Sequence, residues 1–64
     1  MQNQQKRRVV MRLPAVEVAV GLKRSMIYNL IKEGRFPAQR RISARAVGWD
    51  SVEIDSWIAE RLAS

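Results

Sequence analysis

A chain of 64 residues, 47% of them hydrophobic, has material for one small domain and no second core. It contains no cysteine and no histidine, which removes disulfides, thiol chemistry, the usual zinc sites and the commonest acid–base side chain, so neither an enzyme nor a metal or other cofactor is expected. Lys and Arg number 12 against 6 Asp and Glu, a net charge of +6.

The charge is unevenly spread. Residues 1–49 hold 11 basic groups opposed by Glu17 and Glu33 alone, whereas residues 50–64 hold Asp50, Glu53, Asp55 and Glu60 against Arg61. Such asymmetry points to a polyanion on one side of the molecule. The ordinary alternative is that basic side chains keep a small protein in solution, and only their positions can decide between the two. No apolar run approaches the roughly 20 residues of a membrane span, and the basic start MQNQQKRR lacks the apolar stretch of a signal peptide. A soluble, cytoplasmic protein with no membrane partner is expected.

In chain order, residues 1–10 combine a Gln/Asn-rich start with Lys6-Arg7-Arg8 and show no helical or strand period, so they are expected to form a flexible basic arm ahead of a domain over 11–64. Met11-Arg12-Leu13 reads as a short extended lead into Pro14, which suits the first turn of a helix over 14–20. Val16, Val18 and Val20 are β-branched, so packing has to hold that helix. Gly21 interrupts it and Leu22 follows as an apolar anchor.

Ile27, Leu30 and Ile31 make one buried stripe on a second helix over 24–33, closed by Gly34 and stopped by Phe36-Pro37. Residues 39–42 and 46–49 read as a β-hairpin around Ser43-Ala44-Arg45, a turn with neither glycine nor asparagine. Asp50 followed by Glu53 has the capping-box spacing, and the helix after it, 51–62, places Ile54, Trp57, Ile58 and Leu62 on one face. Trp49, Trp57 and Phe36 read as core, ahead of base stacking for the two tryptophans; Met26 stays open between packing and surface.

Two helices separated by about three residues, with a glycine between them, must cross steeply. Val16, Val20, Leu22, Ile27 and Leu30 supply the apolar groups such a pair needs. The face then left outward on the second helix is Arg24, Ser25, Tyr28, Asn29 and Lys32, with Lys23 at its start. Arg can bond guanine bidentately, Asn can bond adenine, Ser and Tyr can bond phosphates or base edges, and Lys can neutralise a phosphate.

A solvated helix face is the commoner use of such residues. The steep helix pair, the basic arm and the basic hairpin together favour DNA. Arg40, Arg41 and Arg45 of the hairpin then serve as a wing on the phosphate backbone or in the adjacent minor groove, against the alternative of a charged strand edge that resists aggregation. Lys6, Arg7 and Arg8 are weaker candidates for phosphate contacts.

From "GLKRSMIYNLIKEGRFP" to "RAVGWDSVEIDSWIAER" the chain resembles the AlpA family of small phage and prophage regulators, within the wider group of MerR-like winged helix-turn-helix proteins that includes phage excisionases. The resemblance covers about residues 11–62 and follows Leu13-Pro14, Gly21-Leu22, Arg24-Ser25, Ile27-Tyr28, Leu30-Ile31, Gly34, Phe36-Pro37, Arg45, Val47, Trp49 and Trp57-Ile58 in order. The chain departs from the family pattern at Lys23, where Ser or Thr is usual, at Asn29, where Arg or Lys is frequent, and near Ser43, where a glycine is common.

The resemblance implies a mainly α fold of three helices with a small β-hairpin wing. The function it implies is a sequence-specific double-stranded DNA-binding transcriptional regulator whose second helix enters the major groove, in a bacterial, cytoplasmic and nucleoid-associated setting. An excisionase-type architectural factor working with a recombinase or integrase, and a protein-interaction adaptor that does not bind DNA, stand as alternatives. A single module of this size covers only about 600–1,000 Å² of interface, so a homodimer or cooperative tandem binding is expected.

Overall fold

In chain order the elements are β1 (Val10–Met11), α1 (Leu13–Val20), α2 (Arg24–Lys32), β2 (Arg40–Ser43), β3 (Ala46–Asp50) and α3 (Ser51–Ala63) in a computed structural model that describes residues 7–63. Three helices and a small antiparallel wing make a winged helix-turn-helix, mainly α, as the sequence implies.

Arg12 turns the chain from extended into α1 with φ −88° and ψ 166°, and Pro14 occupies the first turn. Gly21 ends α1 in the left-handed region at φ 73°, and its N–H donates to Glu17 O at 2.8 Å. A side chain with a Cβ is strained there, which is why this position suits glycine. At the far end of α2, Gly34 takes φ 74°, its N–H donates to Ile31 O at 3.0 Å, and Arg35 N–H donates to Leu30 O at 2.8 Å. This paired closure is the Schellman motif, and it satisfies carbonyls that the helix end leaves open.

The core is five buried side chains, each from a different part of the chain: Val16 of α1, Ile27 of α2, Phe36 of the following linker, Trp49 of β3 and Ile54 of α3. Leu13, Val20, Leu22, Leu30, Ile31, Trp57 and Ile58 are half-buried around them. Burying a large aliphatic or aromatic side chain contributes about 1.5–3 kcal/mol, so α1 with its three valines is held by Val16 and its neighbours, not by propensity. Leu62 was expected on the same stripe as Ile54 and Ile58, but it is 79% exposed, because the last turn of α3 extends past the core.

The sheet has the order β1-β3-β2, both outer strands antiparallel to β3, with Val10 opposite Asp50, Met11 opposite Trp49, Arg40 opposite Gly48, Arg41 opposite Val47 and Ser43 opposite Ala46. Among the described residues no side-chain-bearing residue has positive φ, so the turn at Ala44-Arg45 is not the primed type that matches strand twist. A register shift between Arg41 and Ser43 takes up the mismatch. Gly48 is where the sheet is tightest: a Cβ there would lie 2.6 Å from Ile42 Cδ1, 2.8 Å from Val10 Cγ1 and 3.0 Å from Met11 O.

β1 differs from the expected arm. Residues 8–10 are tied to the sheet and to the start of α3 and are not a free tail. Ser51 N–H donates to Val9 O at 2.9 Å, Val9 N–H donates to Ser51 Oγ at 2.8 Å, and Ser51 itself is buried. Arg8 clasps Asp50 with Nη2–Oδ2 at 2.6 Å and Nε at 3.1–3.2 Å from both carboxylate oxygens. Asp50 Oδ1 also accepts from Val52 N–H at 3.0 Å, the expected cap of α3. Glu53, expected to complete the capping box, turns instead to Arg40.

Two outcomes follow from this packing. Gly48→Ala should cost about 1–3 kcal/mol as an overpacked site, lowering the melting midpoint by about 4–8 °C per kcal/mol in a domain of this size; thermal denaturation measures it, and an unchanged midpoint counts against the pinch. The hydrogen bonds from Arg8, then the backbone N–H of Val52, hold the Asp50 carboxyl below its ordinary value. A carboxyl depressed in the folded state contributes stability that is present above its unfolded value and is lost as pH falls through the folded one. The stability gap between the natural chain and Asp50→Asn should therefore be constant near neutral pH and shrink below the ordinary carboxylate range.

Candidate nucleic-acid interface

Helix geometry decides which side chains of α2 face out. At about 100° per residue, Ile27, Leu30 and Ile31 fall within one arc, while Ser25, Asn29 and Lys32 lie near the middle of the opposite one. Accordingly Ile27 is fully buried, Leu30 and Ile31 are half-buried, and Lys23, Arg24, Ser25, Met26, Asn29 and Lys32 are exposed. Met26, left open by the sequence, is a surface residue at 48% exposure.

Tyr28 is the exception on the expected face. It sits only about 60° round the helix from Ile31, and its ring is half-buried, tilted 58° against Trp49 with centroids 6.3 Å apart. The phenol thus spans the core margin and the outward face.

The start of α2 is built without help from the side chain of residue 23, whose carbonyl accepts Ile27 N–H at 3.0 Å. Lys23 takes the extended cap conformation, φ −89° and ψ 162°, but makes no side-chain cap bond. The acceptor comes from α1, where Glu17 Oε2 receives Arg24 N–H at 2.9 Å. Sequence reasoning missed this bond because the two residues are seven apart across a turn; the only signal was a lone acid in a basic stretch.

The linker from α2 to the wing is clamped by two indoles. Trp57 Nε1 donates to Arg35 O and Trp49 Nε1 to Pro37 O, both at 2.9 Å, with Phe36 buried between them and edge-on to Trp57 at 4.9 Å between centroids. Trp49 is core, as expected. Trp57 is only half-buried, with the Arg61 guanidinium 4.4 Å from its ring centroid. The linker between α2 and the wing is therefore held to the core on both sides of Phe36.

The wing arginines divide. Arg40, Arg41 and Arg45 are all exposed, but Arg40 is ion-paired with Glu53, whereas no ion pair is seen for Arg41 or Arg45 among the described residues. Of the expected arm residues, Arg7 is exposed, Arg8 is committed to Asp50, and Lys6 lies outside the described residues. Hydrogen bonds to Asp50 and Glu53 push the Arg8 and Arg40 guanidinium groups above their ordinary values. Lys23, Arg24, Ser25, Asn29 and Lys32 are thus all exposed and none is acidic, with Ser25, Asn29 and Lys32 opposite the core stripe and Lys23 and Arg24 at the helix start. No helix among the described residues is long and apolar enough to cross a membrane.

Comparison with known proteins agrees with this architecture. Residues 9–62 match the family model described as prophage CP4-57 regulatory protein (AlpA). An uncharacterized protein, ORF88, of Enterobacteria phage P4 is 42% identical over 53 residues, which cover 83% of this chain and 60% of the phage protein. The DNA-binding transcriptional activator AlpA of Escherichia coli K12 is 34% identical over 58 residues, covering 81% of this chain and 83% of that protein. No solved structure matches the chain. With the family model spanning nearly all of it, the chain belongs to the AlpA family of prophage regulatory proteins.

Proposed function

We propose that this protein is a sequence-specific double-stranded DNA-binding transcriptional regulator that lays α2 in the major groove and sets the β2–β3 wing on the flanking backbone or minor groove. The observation that carries the reading is the set of exposed side chains Lys23, Arg24, Ser25, Asn29 and Lys32, none of them acidic, on a helix held at both ends. Membership of the AlpA family and likeness to a DNA-binding transcriptional activator support it.

In this arrangement Asn29, near the centre of the face, pairs with adenine N6 and N7, and Arg24 forks onto guanine O6 and N7. Lys23, Lys32 and Ser25 hold phosphates and so set register without reading sequence. The Tyr28 hydroxyl is positioned by the packed ring and gives a phosphate contact with little rotamer entropy to lose. Arg41 and Arg45 track the backbone beside the groove, and Arg40 joins them when phosphate replaces Glu53.

One module of this size makes few contacts, so two or more copies bind together, as a homodimer or in tandem. An architectural role beside a recombinase uses the same surface and differs in bending the DNA, which a circular-permutation gel shift separates from simple occupancy.

The test is a gel shift and footprint on the DNA around the protein's own gene. Asn29→Ala should cost about 1–3 kcal/mol and relax preference at one base pair, whereas Lys32→Ala should weaken all duplexes alike and lower the salt slope by about 1. Binding that is insensitive to salt and unchanged by Arg24→Ala, Tyr28→Ala and Asn29→Ala would falsify the assignment and favour the protein-interaction adaptor.

A further inference from the structure

We propose that Glu17 is the positioning residue of the reading helix: its carboxylate, carried on α1, closes the amino end of α2 in place of a side chain at residue 23. The proposal rests on reading α2 as the helix that meets DNA.

A helix start leaves several N–H groups without partners inside the helix, and a short side chain at the cap position ordinarily accepts one of them. Lys23 stands at that position with the right backbone angles, but its ammonium is a donor only and accepts nothing. Glu17 Oε2 takes the Arg24 N–H at 2.9 Å, while Glu17 O takes the Gly21 N–H at 2.8 Å. One residue therefore holds the exit of α1 through its carbonyl and the entry of α2 through its carboxylate. The turn 21–23 is bracketed from both sides, and with it the angle at which Arg24, Ser25 and Asn29 are presented.

Electrostatics gives the proposal its sharpest test. An acid beside the first turn of a DNA-reading helix repels phosphate, so if Glu17 were only a charge, removing it would raise affinity for every duplex. If Glu17 sets the helix start, its removal lowers affinity where geometry matters, at the specific site, and leaves unrelated DNA unaffected or better bound. A cap that served stability alone would shift the melting midpoint without changing the ratio between the two duplexes.

The experiment uses four full-length chains: the natural one, Glu17→Ala, Lys23→Thr and the double variant. Amide hydrogen exchange by NMR is read on the free proteins, and binding is read on the duplex selected by footprinting and on an unrelated duplex of equal length. Glu17→Ala should speed exchange of the Arg24 amide by about fivefold or more, in keeping with loss of a cap. It should lower the specific-to-unrelated affinity ratio by about fivefold. In the Lys23→Thr background, where a hydroxyl accepts from the second or third amide of the helix, the same Glu17→Ala change should still speed exchange of the Arg24 amide but lower the ratio by much less, a coupling that a double-mutant cycle isolates.

An unchanged Arg24 amide, an equal shift on both duplexes, or the same loss of the affinity ratio in both backgrounds overturns the proposal. If the natural chain prefers no duplex at all, the DNA reading fails, while the exchange measurement still decides whether Glu17 caps α2.

Discussion

The indole of Trp49 is 1% exposed, and a buried indole N–H must find an acceptor inside the molecule. It finds Pro37 O at 2.9 Å, which draws the linker after α2 against β3. The same ring meets Tyr28 of α2, and its residue pairs with Met11 of β1. The indole thus ties α2 and the linker to β3, and the backbone of the same residue pairs with β1. In a chain with no disulfide, so central a group matters more than it would in a larger domain, because a small core offers few other ways to fix the elements relative to one another.

A second constraint lies at the strand-to-helix junction. β3 ends at Asp50 and α3 begins at Ser51 with no loop between them. Asp50 is at once a strand residue opposite Val10, the cap of α3 and the acceptor for Arg8, while Ser51 exchanges hydrogen bonds with Val9. The wing and the last helix are thus welded, and β1 is stitched to the weld by polar contacts. Val10 and Ile42 close over Gly48 in the middle of the sheet.

The three helices and the hairpin were legible in the sequence because each rests on local signals: the Ile27/Leu30/Ile31 period, glycines at helix ends, and the Asp50 cap. Three features were not legible, each for a physical reason. β1 is two residues long and exists only by pairing with β3, so no period announces it among the basic residues before it. The Glu17 cap joins two helices across a turn whose crossing angle the sequence does not specify. Leu62 shares the stripe of Ile54 and Ile58 by helical period, but period says nothing about where the partner layer ends. Tyr28 lies between these cases, since its angular position beside Ile31 could have been reckoned from the helix alone.

The acids of this basic molecule show how its charge is deployed. Glu17 is spent on Arg24 N–H, Glu33 lies 3.6 Å from Arg35, Asp50 holds Arg8 and Glu53 holds Arg40. The exposed pairs, Glu33 with Arg35 and Glu53 with Arg40, contribute only about 0–1 kcal/mol, so what they chiefly decide is which cations stay uncommitted. Arg8 and Arg40 are not equivalent in that respect. The Asp50 side chain is 9% exposed and is gripped by three Arg8 contacts, so releasing Arg8 would strand an enclosed carboxylate. The Glu53 side chain is 34% exposed, and water can replace Arg40 there at little cost. Arg40 is therefore the more easily released of the two, whereas Arg8, although it belongs to the most basic run of the sequence, acts as a structural tie between the first strand and the last helix.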